Sequence, residues 1–252
     1  MLNYVSGELY RVFHKKSLYI YYGILFVLFA AMLFLLSNYN TWSLKGLVDI
    51  AAVVVANMLI FFVGVQAFLS IYVDDLSGST LSNIVSSGTS RFVLILSKLV
   101  ISFIYTAVVM VACGLYFLLI GLIVNRGFSA DFLETVKPLL NLGLLSYLYI
   151  VSFMSVSSIV VYAIQKAALA TTTFIILASG LISSIFLMLA SLSPILDFMQ
   201  KHLLSTQIQT AFSQMMTQAT WNWSALGWVG GYLVLSCAIA LVIFQKKEIS
   251  NT

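Results

Sequence analysis

Charge is scarce in this chain. Lysine, arginine, aspartate and glutamate make up 8% of its 252 residues, where a soluble domain carries about a quarter. Hydrophobic residues make up 62% and the mean hydropathy is +1.07, which excludes a water-soluble globule and implies an integral membrane protein. Cysteine is nearly absent. Cys113 and Cys237 both lie inside apolar runs, which excludes a disulfide framework or a cysteine metal site and leaves two small packing residues. No apolar run contains histidine, and neither His-Glu-x-x-His nor Gly-x-Ser-x-Gly occurs, so intramembrane proteolysis has no proton carrier. No Gly-x-x-x-x-Gly-Lys-Ser/Thr loop is present to cradle ATP phosphates. The chain is therefore not read as an enzyme, and no catalytic, cofactor-binding or metal-binding residue is assigned. A net charge of only +4, on basic residues scattered singly, gives no reason to expect nucleic acid as a partner.

What is abundant is long apolar sequence. Six runs, near Leu18 to Ser37, Ile50 to Val73, Leu99 to Val124, Leu139 to Ile164, Ala167 to Ala190 and Ala225 to Phe244, are each long enough to cross a bilayer. About 20 residues at roughly 1.5 Å each cover a hydrocarbon core of ~30 Å. The first run is longer than a signal-peptide core and no small-residue cleavage site follows it before Asn38, so it reads as an anchor. Only Gln165-Lys166 separates the fourth run from the fifth, and it reads as a tight surface turn because Lys166 at mid-bilayer would be costly. With both termini inside, Arg11, Lys15, Lys16, Arg91, Lys98, Lys166, Lys246 and Lys247 are cytoplasmic, against Lys45, Arg126, Lys137 and Lys201 outside. The positive-inside rule favours that orientation. The expected fold is all-α, one membrane domain over residues 1–252, with six spans and both termini in the cytoplasm. To these it adds an N-terminal interfacial helix (1–17), a cytoplasmic segment (74–98) and outer amphipathic helices before the sixth span (191–224).

The segments between the spans are patterned. "LNYVSGELYRVFHKKS" places Leu2, Val5, Leu9, Val12 and Phe13 on one helical face, with Arg11, His14, Lys15 and Lys16 available for lipid phosphates. In the outer loop, Asp131 and Glu134 start a short helix that Pro138 closes. Before the last span, Ser193-Pro194 starts an amphipathic segment whose apolar residues include Leu192, Ile195, Leu196, Met199, Leu204, Ile208, Phe212 and Met215. It either lies on the outer surface or lids a cavity; Trp221, Trp223 and Trp228 mark the outer interface. Candidates for a substrate path are Asn57, Gln66, Ser155, Leu196, Met199 and Ile208. The polar ones among these serve equally to bond a neighbouring helix. Gly227/Gly231, Ser179/Ser183 and Gly180/Ser184 form small-residue pairs suited to close helix packing.

The stretch "DDLSGSTLSNIVSSGTSRFVLILSK", Asp74 to Lys98, is polar between two apolar runs. Asp74 and Asp75 read as two solvated carboxylates closing the second span. Ser79 or Thr80 caps a short helix in which Leu81, Ile84 and Val85 share one face, and Gly88 ends it. Thr89 or Ser90 caps the next helix, which runs through Arg91 and Lys98 into the third span. A solvated loop has no need of that apolar face, so a contact with another protein is expected there.

In "GELYRVFHKKSLYI", "DDLSGSTLSNIVSSG" and "SRFVLILSKLV", and in six runs with a large outer segment before the last, the chain resembles the permease subunits of type-2 ATP-binding-cassette (ABC) transporters. Asp75 stands where such permeases usually carry glutamate, and Thr89 where they often carry proline. The resemblance implies an ATP-driven exporter subunit working with two copies of a separate ATPase, which holds ATP and magnesium, and with a second permease copy or a paralogue. It makes Thr80, Leu81, Ile84, Val85 and Arg91 the ATPase-contacting residues. It implies a hydrophobic or amphipathic cargo, antimicrobial peptides among the candidates, taken up amid membrane lipid. The readings that stand apart from it are a channel or carrier working without an ATPase, and a receptor or scaffold that transports nothing.

Overall fold

The computed structural model describes residues 2–37, 60–77, 88, 90–125 and 130–246. Among these residues every regular element is helical. Helix α1 (Leu2–Phe13) leads into α2 (Lys16–Ser37). Helix α3 (Ile60–Phe68) continues through a wide π turn (Leu69–Val73) into α4 (Asp74–Ser77). The long helices α5 (Arg91–Asn125) and α6 (Ala130–Ile164) follow, then α7 (Ala167–Ala178) and α8 (Leu181–Leu189). A 3-10 turn (Ala190–Leu192) joins α8 to α9 (Pro194–His202); α10 (Leu204–Gln218) and α11 (Trp223–Lys246) complete the chain.

Among the described residues, three helical stretches are long and apolar enough to cross a membrane: Arg91–Ile120 of α5, Leu139–Ile164 of α6, and α11. Helices α7 and α8 make a fourth if they are taken together as one bent span. The fifth apolar run is thus not one straight helix. It breaks at Ser179–Gly180 and bends by 56°, and Gly180 holds φ +72°, the left-handed conformation that glycine adopts without steric cost. The small-residue pairs read from this run act at the break itself, since the Ser183 and Ser184 hydroxyls donate to the Gly180 carbonyl at 2.7 and 3.2 Å. The short outer helix expected to close at Pro138 is instead the beginning of α6, which runs on through that proline. Losing one backbone hydrogen bond there costs about 3 kcal/mol, against an apolar run that buries Leu142, Leu145, Tyr149 and Phe153 further along.

Other boundaries follow local chemistry. The Ser90 hydroxyl accepts from the Val93 N–H (3.3 Å) at the start of α5, and the Ser193 hydroxyl accepts from the Ile195 N–H (3.3 Å) ahead of Pro194. Gln165 turns the chain between α6 and α7 with φ +57°.

Packing is dominated by aromatic and aliphatic contacts. Helix α3 meets α7 through stacked Phe68 and Phe174, 4.8 Å apart; a methyl group at Gly64 would lie 3.0 Å from the Phe174 ring, which would have to give by a few tenths of an ångström to admit it. Helix α2 runs beside α5, where the Tyr116 hydroxyl donates to the Phe26 carbonyl at 2.6 Å and Phe26 stacks on Tyr116. Helices α6 and α11 pack together and share a 2.6 Å hydrogen bond between Ser155 and Ser236. Two ends result. At the proximal end lie α1, α4, the first turns of α5 and the last turn of α11, as the Glu8–Lys98 and Arg91–Phe244 contacts show. At the distal end lie α9, α10 and the start of α11.

The left-handed glycine is the sensitive point of the bent pair. Gly180→Ala is expected to lower stability by about 1 kcal/mol, read as an earlier thermal transition of the purified protein. Gly227→Ala is expected to leave it unchanged, because a methyl group there meets no atom within 4 Å.

Candidate functional site

Helix α1 is amphipathic, and its apolar face is buried on the protein itself: Val5 and Val12 are buried, α1 packs on α5, and the Phe13 and Tyr105 rings lie 5.4 Å apart. That docking carries Glu8 and Arg11, one turn apart, against α5 and the end of the π turn. Lys98 lies about two turns inside α5 and is 1% exposed. An ammonium in so apolar a place costs several kcal/mol unless every donor is satisfied. All three are. Lys98 Nζ lies 2.7 Å from Glu8 Oε2, 2.5 Å from Asp75 Oδ2 and 2.9 Å from the Ile71 carbonyl oxygen.

Arg11 closes the figure. Its Nε and Nη2 donate to the two oxygens of Glu8 at 3.1 and 2.7 Å, and Nη2 also donates to Asp75 Oδ1 at 3.0 Å. Glu8, Arg11, Asp75 and Lys98 form a closed ring of alternating charge, neutral in sum, joining α1, α4 and α5. The π turn takes part: the Asp74 N–H reaches back five residues to the Leu69 carbonyl, and the Ile71 carbonyl of the same turn is taken up by Lys98. Lys15 pairs with Asp74 beside the ring.

This corrects two expectations. Asp75 is not a solvated carboxylate: it is 1% exposed and shared between two cations. Nor are Arg11 and Lys15 free for lipid phosphates, because both are held by carboxylates of the chain. Patterning within α1 found its apolar face but not its partners, which lie 64 and 90 residues away. The available signals were a lone glutamate in a basic helix and a lysine inside an apolar run.

The two carboxylates differ electrostatically. Burial works against ionised Glu8, but the hydrogen bonds from Arg11 and the Lys98 charge outweigh it and hold the Glu8 pKa below its ordinary value. Burial raises the Asp75 pKa, and Lys98 offsets this only in part while the neighbouring Glu8 charge adds to the rise. Burial likewise pushes the Tyr4 phenol up.

Arg91 has its own task within the chain. Its Nη1 donates to the Phe244 and Gln245 carbonyls at 2.6 and 2.9 Å, capping α11, and its guanidinium stands 5.4 Å from the Phe244 ring centroid. The path candidates are dispersed. Ser155 is buried in its bond to Ser236; Gln66 donates to Ser70, one turn along, at 3.2 Å; Ile208 is buried; Leu196 and Met199 lie on α9. Asn57, Thr80, Leu81, Ile84 and Val85 lie outside the described residues. A hollow of about 450 Å³ between α5 and α6 is lined by Met110, Gly114, Leu139, Gly143 and other almost wholly apolar residues, and it is remote from the ring.

The four side chains of the ring are turned on one another and fasten three helices at one joint. The chain matches no protein-family model, no curated protein and no solved structure.

The ring makes an ordered prediction. Lys98→Met leaves two buried carboxylates with Arg11 alone and is expected to cost about 3–5 kcal/mol. At neutral pH, Glu8→Gln is expected to destabilise more than Asp75→Asn, because the surroundings hold the Glu8 pKa below its ordinary value and that of Asp75 above it, so the ionised Glu8 gains more from the ring than the ionised Asp75 does. Glu8 contributes stability above its ordinary pKa and loses it as pH falls through its lowered one, so the Glu8→Gln deficit shrinks in acid. Asp75, with its pKa raised, becomes relatively more stabilising as pH falls, and Asp75→Asn gains nothing there. Thermal melting of the three variants between pH 4 and 7 checks both the order and the trend.

Proposed function

We propose that this chain is the membrane subunit of an ATP-driven exporter of the type-2 ABC class, working in a bacterial cell membrane. It acts with a second permease copy or paralogue and with separate ATPase subunits that hold ATP and magnesium. In this reading α2 and the segment that ends in α3 add two spans to α5, α6, the bent α7–α8 pair and α11. Six spans place both termini in the cytoplasm, and the charge ring with them.

The observation that carries the reading is how the polar segment is fastened. Its N-terminal side leaves α4 two residues after Asp75, which is locked to α1 and α5 through Arg11 and Lys98. Its C-terminal side re-enters at Ser90, and the next residue, Arg91, grips the end of α11. A push on residues 78–87 is therefore delivered to α1, α5 and α11 together, which is what a contact that transmits ATPase motion to the spans requires. Thr80, Leu81, Ile84 and Val85 are the proposed contact face, with Arg91 as its link to the bundle. At the distal end α10 covers α6 and α11 with Ile208, Phe212 and Met215, so Ile208 supports the cover, and Leu196 and Met199 on α9 remain the candidates for meeting cargo. The cargo class in keeping with this surface is an amphipathic peptide.

The test asks whether the gene beside this one encodes a phosphate-loop ATPase, joins that ATPase with the chain in proteoliposomes, and measures ATP hydrolysis with and without an antimicrobial peptide. Ile84→Asp with Val85→Asp is expected to weaken ATPase association and abolish peptide stimulation while the permease still melts normally. Undiminished binding and stimulation would sink the proposal. Orientation is checked separately on a background lacking Cys113 and Cys237. Ser213→Cys is expected to react with an impermeant maleimide from outside intact cells, and Ser86→Cys only after lysis.

A further inference from the structure

The apolar hollow between α5 and α6 has the depth of one membrane leaflet. On α5 its wall runs from Ala107 to Leu118, about 16 Å of helix, and stops two residues short of the end of the apolar stretch at Ile120. On α6 the wall begins at Leu139, the first residue of that stretch, and runs to Tyr147. The hollow therefore starts at the distal border of the hydrocarbon and reaches inward over a length close to the ~15 Å of half a ~30 Å core.

Two glycines keep it open. A methyl group at Gly114 on α5 or at Gly143 on α6 would meet no atom within 4 Å, so the helices stand apart where each lacks a side chain. Cys113, Phe117 and Leu139 are buried at the floor, while Val111, Leu115 and Leu140 are exposed at the mouth, which opens sideways from the bundle.

The lining selects the occupant. It is almost wholly hydrocarbon, and the Tyr147 hydroxyl, at the inner end, already donates to the Phe103 carbonyl at 3.4 Å. A peptide seated there would leave its amides unpaired. A helix of another chain, about 10 Å across, needs roughly 1,000 Å³ or more over this length. The hollow offers about 450 Å³. An acyl chain is thin and has no hydrogen bond to lose.

A cation stands at the distal mouth. Lys137 is exposed, precedes Leu140 by one turn and Leu144 by two, and so shares their face of α6. Among the described residues it takes part in no ion pair. Helical side chains lean toward the N-terminus, here the distal side, which carries its ammonium to the level of the headgroups. We infer that the hollow seats one acyl chain of a distal-leaflet glycerophospholipid whose phosphate pairs with Lys137. A headgroup without an ammonium of its own leaves the phosphate charge to Lys137, so phosphatidylglycerol is preferred to phosphatidylcholine. The inference needs only that α5 and α6 span the membrane; it does not rest on the transport reading.

The experiment places the full chain in nanodiscs doped with phosphatidylglycerol that carries a photoreactive diazirine midway along one acyl chain, and maps the adducts by peptide mass spectrometry. Labelling of residues 107–118 and 139–147 is expected to exceed several-fold that of exposed Tyr19, Ile24 and Val27 on α2, which report passing lipid. Unlabelled phosphatidylglycerol is expected to compete several-fold better than phosphatidylcholine. Gly114→Leu fills the hollow and is expected to bring its labelling down to the α2 level; Gly143→Leu serves should that variant fail to melt normally. Lys137→Gln, at an exposed position, is expected to erase the difference between the two competitors. Labelling of the unaltered hollow no stronger than on α2 overturns the inference, as does labelling that persists in a folded glycine variant. A hollow left unlabelled while α2 is labelled overturns it in favour of a protein cover such as a second copy. A preference for phosphatidylglycerol that survives Lys137→Gln overturns the pairing of the phosphate with that lysine.

Discussion

An ammonium group inside an apolar helix is the constraint around which the proximal end is organised. Lys98 needs three acceptors where hydrocarbon side chains offer none, and they come from three different places: Glu8 on α1, Asp75 on α4 and the Ile71 carbonyl in the π turn. Each carboxylate so recruited is itself buried and needs further donors, which Arg11 supplies to both. The ring is high-stakes in the sense that applies to all buried polar networks: closed, it defines one arrangement; missing a member, it leaves a charge stranded in low dielectric. The position of α1, an amphipathic helix with hydrocarbon nearby as a competing partner, is set by this ring as much as by its apolar face.

The two ends of the bundle use opposite means. Proximally, charges discharge one another, and a carbonyl-capping arginine binds the first turn of α5 to the last turn of α11. Distally, cohesion comes from the apolar stripe of α10 and from hydroxyl and ring contacts of His202, Trp228 and Tyr232. Charged joints are directional and have few alternative geometries, whereas apolar contacts tolerate sliding. A stiff proximal end and a compliant distal end are what that difference in chemistry produces.

Much of the helical layout was legible in the residues because it rests on local rules. Apolar run length located α5, α6 and α11; Ser90 and Ser193-Pro194 gave helix starts; Gln165-Lys166 gave the turn. What escaped depends on partners or on backbone angles. Hydropathy does not register a left-handed glycine, so the break at Gly180 was invisible in an unbroken apolar run. Pro138 reads as a stop because its local cost is evident, while the burial that outweighs it lies further along α6. Asp75 reads as solvated because the side chains that surround it are contributed by α1 and α5, and nothing in its neighbours in sequence announces them. Gly227 and Gly231 look like a packing pair, yet within the described residues no side chain approaches either.

The π turn also fixes the phase of the chain. A helix of ordinary pitch advances by about 100° per residue, so the one extra residue accommodated between Leu69 and Val73 determines how the face of α3 is rotated relative to α4. Phe68 points to Phe174 on one side of the turn, and Asp75 points to Lys98 on the other. Both orientations hold only at this spacing. Removing a residue would restore a regular ladder while turning one of the two away from its partner. The stretch is therefore constrained in length more than in composition: its residues are more readily exchanged than deleted, and an insertion is as disruptive there as a charge reversal in the ring.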